Sequence, residues 1–135
     1  MMLVTLSRLL GGPFRKRQER LMLNRAHANR DIFIDHANDD FERCVAIKLW
    51  DHLRGWAIPN FQPQIDDDLL KVYGIAEEEL DEDILINYMK IFEISVPSKS
   101  SVYNFGPINT PLGIIRFLSM ARNEEKARND SGDTV

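Results

Sequence analysis

The sequence lacks most features that indicate export, membrane insertion or covalent cross-linking. Its single cysteine, Cys44, has no second cysteine to pair with, which excludes an intrachain disulfide and suits a reducing compartment. No run of about 18 apolar residues is present, so no segment is expected to span a bilayer. The opening MMLVTLSRLL lacks the preceding basic region and the small-residue cleavage site of an export signal. We therefore expect a soluble, cytoplasmic protein, with Cys44 in its core.

Recognisable catalytic and metal-binding patterns are also absent. The three histidines have neither the spacing nor the cysteine or acidic neighbours of a recognisable zinc site. His36, near Asp35 and Asp39, is the best metal candidate, although a solvated surface histidine is the favoured interpretation. Three consecutive aspartates at 66–68 lack the regular alternation of ligands and the closing glutamate of a calcium loop. The sequence thus predicts a non-enzymatic protein that holds no cofactor and no metal.

Charge is distributed unevenly along the chain. Residues 1–30 contain seven Lys or Arg and one acid, whereas the rest of the 135 residues hold ten basic and twenty acidic groups. Such an acidic body should repel nucleic acid and anionic membranes and attract a basic protein surface. The basic segment could bind phosphate-rich material, fold back on the acidic body or remain a poorly ordered extension. We divide the chain into a basic N-terminal extension at 1–30, an acidic helical domain at 31–122 and a polar disordered tail at 123–135.

Apolar periodicity predicts three main helices, at 40–54, 76–93 and 111–122, with a short helical turn near 66–73. Asp39 and Glu42 have capping-box spacing at the first start, and Thr110-Pro111 is a start signal for the last helix. Residues 98–109 are expected to lie extended across the core or to form a small strand. The predicted core comprises Phe41, Val45, Leu49, Leu53, Leu69, Leu80, Ile84, Tyr88, Phe92, Ile94, Ile114, Ile115 and Leu118.

The densest charge lies between residues 66 and 83, where nine acids accompany one base, Lys71. A merely solubilising surface would explain some of these acids, and favourable interaction with the helix N-terminus would explain a few more. Because the concentration exceeds both needs, we favour docking of a basic partner protein. The predicted partner-binding residues are Asp66, Asp67, Asp68, Glu77, Glu78, Glu82 and Asp83.

The run GIAEEELDEDILINYMKIFEISVP resembles the second helix and exit of acyl carrier proteins, and TPLGIIRFL, from Thr110, resembles their last helix. The likeness covers roughly residues 39–121 and implies a small helical bundle. The position of the phosphopantetheine serine falls at Glu77 or Glu78, with no serine nearby. The resemblance is therefore to short bacterial carrier-like domains that lack this serine. It implies an acidic recognition helix with Glu77, Glu78, Glu82 and Asp83 facing the partner, without prosthetic-group chemistry.

A second resemblance is to the acidic four-helix immunity proteins that neutralise nuclease bacteriocins. Tyr103 followed by TPLGII is similar to their tyrosine-bearing loop and helix start, although Asn104-Phe105 stands where those proteins place a second tyrosine and a proline. This resemblance implies an alternative function, in which the acidic surface binds and neutralises a basic nuclease-type toxin.

Overall fold

The computed structural model describes Lys16, Arg20, Arg25 and residues 28–56 and 61–132. From residue 28 onward, the described residues form six helices and no β-strand, so the chain is a small helical bundle and the predicted mostly α fold is confirmed. Most of the predicted extension at 1–30 lies outside the described residues. The helices are α1 (Arg30–Ile34), α2 (Asp40–Trp56), α3 (Leu69–Tyr73), α4 (residues 77–91), α5 (Lys99–Phe105) and α6 (Pro111–Gly132).

The starts of the first and last long helices are fixed by side-chain caps, as the sequence predicts. Asp39 Oδ1 accepts a hydrogen bond from the Glu42 N–H at 2.8 Å, and Glu42 Oε1 accepts one from the Asn38 N–H at 2.9 Å. Thr110 Oγ1 accepts from the Gly113 N–H at 3.0 Å. The first N–H groups of a helix have no partner within it, so these contacts stabilise the beginnings of α2 and α6.

The core lies mainly between α2, α4 and α6, and most of its predicted members are buried. Phe41 and Phe92 differ from the prediction because they are only partly buried; their rings meet edge to face, with centroids 5.5 Å apart. Cys44 is exposed, so its placement in the core was wrong. The buried side of α2 includes Val45 and Leu49, and Cys44 points about 100° away from Val45 around the helix axis.

The segment after α4 is helical where an extended segment or strand was predicted. The Ser98 side chain caps α5 by accepting from the Ser101 N–H at 3.2 Å. No strand lies among the described residues for an extended segment to pair with. Helical structure satisfies the backbone of α5 without such a partner.

The predicted disordered tail from residue 123 also needs correction, because α6 continues to Gly132. Two hydrogen bonds attach this part of α6 to the bundle. Glu124 Oε1 accepts from the Ser98 N–H at 2.9 Å, and Glu125 Oε1 accepts from the Ser95 hydroxyl at 2.7 Å. The polar composition that suggested disorder instead supplies the groups that bind the α4–α5 connection. No helix in the described ranges is both long and apolar enough to cross a membrane.

Helix α4 is continuous but changes its winding. It begins as α-helix at Glu77–Glu79, becomes a π-helix at Leu80–Ile86 and returns to α-helix at Asn87–Ile91. In a π-helix the hydrogen bonds join residues five apart. Leu80, Leu85 and Met89 follow one another at intervals of five and four, and all three are buried. Ile84 and Tyr88 are buried as well, whereas the acids between Leu80 and Ile84 are exposed.

Candidate protein-interaction site

The three consecutive aspartates before α3 have different environments. Asp66 is exposed, Asp67 is buried and Asp68 is partly buried. Asp68 is the cap of α3, because its Oδ1 accepts a hydrogen bond from the Lys71 N–H at 2.8 Å. We predicted from the sequence that all three carboxylates bind the partner. Among the three, only Asp66 is exposed and forms no hydrogen bond with the described residues.

Asp67 is the centre of a buried polar network. Its Oδ2 accepts hydrogen bonds from Arg25 Nη1 at 2.8 Å, from the Gln64 N–H at 2.8 Å and from the Tyr73 hydroxyl at 2.5 Å. Its Oδ1 pairs with Arg25 Nη2. The guanidinium also donates to the Gln62 carbonyl at 2.8 Å and lies 5.1 Å from the centroid of the Phe61 ring. The carboxylate thus has four donors inside the protein.

The Tyr73 hydroxyl and the Arg25 guanidinium keep their protons in this network, as a structural role requires. Burial raises the pKa of the Tyr73 hydroxyl far above its usual range, and the neighbouring Asp67 carboxylate raises it further. Burial is the largest effect on the pKa of the Arg25 guanidinium and lowers it. The hydrogen bonds and the charge attraction to Asp67, with a smaller contribution from Tyr73, together outweigh burial and leave this pKa above its usual value. At neutral pH the hydroxyl therefore stays neutral and Arg25 stays charged.

Two expectations change as a result. Asp67 was wrongly assigned to partner binding, because its side chain is only 3% exposed and its oxygens are already bonded. Arg25 was assigned to the N-terminal extension, yet its side chain is 5% exposed and packed within the body. For this one arginine, folding back on the acidic body is observed. The acidic body begins before residue 31.

The exposed acids at the start of α4 form the surface that we call the acidic face, comprising Glu77, Glu78, Asp81, Glu82 and Asp83. None of them forms an ion pair with a cation of the described residues. Glu79 differs from its neighbours because it is buried, and its Oε1 lies 3.4 Å from the Ala76 nitrogen, which donates to it. Asp81 was missed by the sequence analysis, since periodicity does not rank neighbouring acids by exposure.

The acidic face is electrostatically unfavourable when left alone. Negative charges near a helix N-terminus gain roughly 0.3 to 1 kcal/mol each at most, and like charges a turn apart lose similar amounts through repulsion. Five exposed carboxylates within seven residues therefore exceed what the helix end alone can favour. A surface of opposite charge would reduce this repulsion and would be drawn to the face at longer range.

The region around His36 has a simpler arrangement than a metal site. Its Nδ1 lies 3.0 Å from the Ile32 carbonyl oxygen, within hydrogen-bond distance, and the ring is exposed. No group of three or more His, Cys, Asp or Glu side chains among the described residues is arranged to hold a metal ion. His36 therefore contributes to the surface near the end of α1.

His52 is a partly buried histidine that faces α4. Its Nδ1 lies 3.3 Å from the Tyr88 hydroxyl oxygen, and its ring stacks on Trp56 with centroids 6.4 Å apart. Burial lowers the pKa of the imidazole, Lys48 lowers it further and Asp83 partly opposes them. Burial also raises the pKa of the Tyr88 hydroxyl above its usual range, with a smaller contribution from Asp51. Both groups are therefore neutral at pH 7.

Replacing His52 with Gln should remove part of the acid sensitivity of folding. The folded-state pKa lies below the ordinary value of 6.5, so the unfolded chain binds this proton more readily. The stability linked to His52 is fully present above pH 6.5 and is lost as the pH falls toward the folded-state pKa. Urea unfolding at a series of pH values should show a smaller loss below pH 6.5 for His52→Gln than for the wild type. An equal loss of stability below pH 6.5 in His52→Gln and in the wild type would contradict the prediction.

Comparison with protein-family models, curated proteins and solved structures finds no match to this chain. The resemblances to carrier-like domains and to immunity proteins stay predictions. The interaction site is therefore interpreted from its own side chains: Asp66 beside α3 and the acidic face on α4.

Proposed function

We propose that this chain is a non-catalytic protein-interaction domain whose acidic face docks a basic surface of a partner protein. The observation that carries the proposal is that five exposed carboxylates at the start of one helix have no cationic partner among the described residues. Arg25 binds Asp67 in the interior and leaves the acidic face open. The resemblance to carrier-like domains without the serine agrees with this function, since it also gives the acidic helix the recognition role.

Neutralisation of a basic nuclease-type toxin is a second candidate function. Tyr103 favours it, because the side chain is 85% exposed and lies on α5, whose Val102 borders the same groove as Glu77 and Asp81 of the acidic face. Tyrosine is enriched among the residues that contribute most to binding at protein interfaces. The two candidates differ in the kind of basic partner and share the docking surface.

Neutralising the acidic face should remove partner binding without loss of fold. The test variant combines Glu77→Gln, Glu78→Gln, Glu82→Gln and Asp83→Asn in the full chain. The four changes remove four of the five charges of the acidic face, which steer and hold a basic surface, so we expect the affinity to fall about 10- to 100-fold. Immobilised wild-type and variant proteins, exposed to host lysate and followed by quantitative mass spectrometry, identify a partner that is retained only by the intact face.

The matched control removes four exposed acids elsewhere: Asp35→Asn, Asp51→Asn, Glu93→Gln and Asp130→Asn. It changes the net charge by the same amount and should retain the partner. The purified partner should also bind with a Kd that rises steeply with salt, because the docking charges are screened. A partner retained equally by both variants, or bound independently of salt, would refute docking through the acidic face. Capture of a basic nuclease would favour toxin neutralisation.

A further inference from the structure

An apolar groove runs beside the acidic face, between α3, α4 and the region from α5 to the start of α6. Its volume is about 710 Å³. Leu70, Ile86 and Val102 line it while remaining 59%, 44% and 42% exposed. Single exposed apolar residues are ordinary on protein surfaces, but three from different helices around one groove form a binding-type patch.

Charge at the groove favours one chemical class of occupant. Asp68, Glu77 and Asp81 line it together with one cation, Lys71. The carboxylates would repel an acidic ligand and would attract a ligand that combines apolar groups with positive charge. Two of the three acids, Glu77 and Asp81, also belong to the acidic face, so one partner can contact the face and the groove together.

The secondary structure around the groove favours a helical occupant. The described residues contain no β-strand, so the groove has no strand edge whose N–H and C=O groups could pair with an extended peptide. A helix satisfies its own backbone hydrogen bonds and presents apolar side chains along one face. Grooves between helices commonly bind peptides in this way.

We propose that this groove binds an amphipathic helix of the basic partner. The helix places its apolar side chains against Leu70, Ile86 and Val102, and its Lys or Arg side chains face Asp68, Glu77 and Asp81. The inference rests on the proposed function and adds the partner class: a helix with an apolar stripe and basic flanks. Binding uses apolar contact for affinity and charge for orientation.

Synthetic peptides test this occupant with the full-length chain. The probe is a fluorescent helix about 18 residues long, with leucines at helical spacing and lysines elsewhere. One comparison peptide has the same composition in scrambled order, and another replaces the lysines with glutamates. Fluorescence anisotropy should show the striped basic helix binding at least about 10-fold more tightly than either comparison peptide. Equal binding of the striped and scrambled basic peptides would overturn the proposal.

Two matched double variants test whether the striped peptide binds in the groove. Ile86→Ser with Val102→Ser changes the groove, whereas Ile91→Ser with Val96→Ser makes the same replacements at exposed positions outside it. The groove variant should bind the striped peptide about 10-fold more weakly, and the control pair should stay within about 2-fold of the wild type. Equal losses in both variants would overturn the groove as the site. Self-association of the chain that the groove variant abolishes would identify a second copy as the occupant and would also overturn the proposal.

These outcomes are distinct from failure of the proposed function. If the peptides do not distinguish the groove but the four-acid variant still loses the captured partner, the groove inference fails and acidic-face docking stands. If the captured partner is retained by the four-acid variant, docking through the acidic face fails regardless of the peptide results.

Discussion

Asp67→Asn is expected to destabilise the protein by about 3 to 5 kcal/mol, because it removes the charge that compensates a buried arginine. The carboxamide cannot match the acceptor capacity of Asp67, whose two oxygens receive two bonds from Arg25, one from Gln64 and one from Tyr73. Arg25 would retain its positive charge in a site where it is 5% exposed. Such a loss is a large part of the roughly 5 to 15 kcal/mol that stabilises a typical domain. Urea unfolding followed by circular dichroism measures the change.

Asp66→Asn is the matched control, because it makes the same chemical change one residue earlier at an exposed carboxylate. Its effect should stay within about 0.5 kcal/mol of zero. The double variant Arg25→Met with Asp67→Leu should be more stable than Asp67→Asn, since it leaves no unpaired buried charge. Similar stabilities of Asp66→Asn and Asp67→Asn would mean that the buried pair does not hold the fold together.

The contrast among these aspartates indicates which features the sequence could predict. The helical turn near 66–73 could be predicted because its signals are local. Asp68 caps α3 by accepting from the Lys71 N–H, and Gly74, which has a positive φ, ends it. The burial of Asp67 depends on Arg25, 42 residues earlier in the chain, and on the fold that brings the two together. Three identical residues in a row carry no local signal that separates the buried one from the exposed one.

The candidate site also has one part that could be predicted from the sequence and one part that could not. The acids at the start of α4 could be found from composition and helical position, since the polar face of an amphipathic helix is usually exposed. The groove could not be predicted from the sequence, because Leu70, Ile86 and Val102 are far apart in the chain and belong to three helices. Val102 also lies in a segment that was expected to be extended across the core. Only the packing of α3, α4 and α5 assembles these side chains into one surface.

Leu49→Ala should cause the other large loss of stability. Leu49 is fully buried on α2, in the same core cluster as Ile115 and Leu118 of α6. Truncation removes apolar burial and leaves a cavity that the surrounding side chains fill only partly, which costs about 2 to 5 kcal/mol. The midpoint of urea unfolding should fall while the m-value is unchanged, because the same surface is exposed on unfolding.

Leu70→Ala supplies the matched control, since the same atoms are removed from a leucine that is 59% exposed. Its effect on unfolding should be below about 0.5 kcal/mol, because little apolar burial is lost and no enclosed cavity forms. The same variant removes apolar contact from the groove, so it should weaken binding of the striped peptide while Leu49 remains intact in the core. A Leu70→Ala protein as unstable as Leu49→Ala would place Leu70 in the core and remove it from the proposed binding surface. The pair therefore separates the residues that hold the bundle together from those that are free to contact a partner.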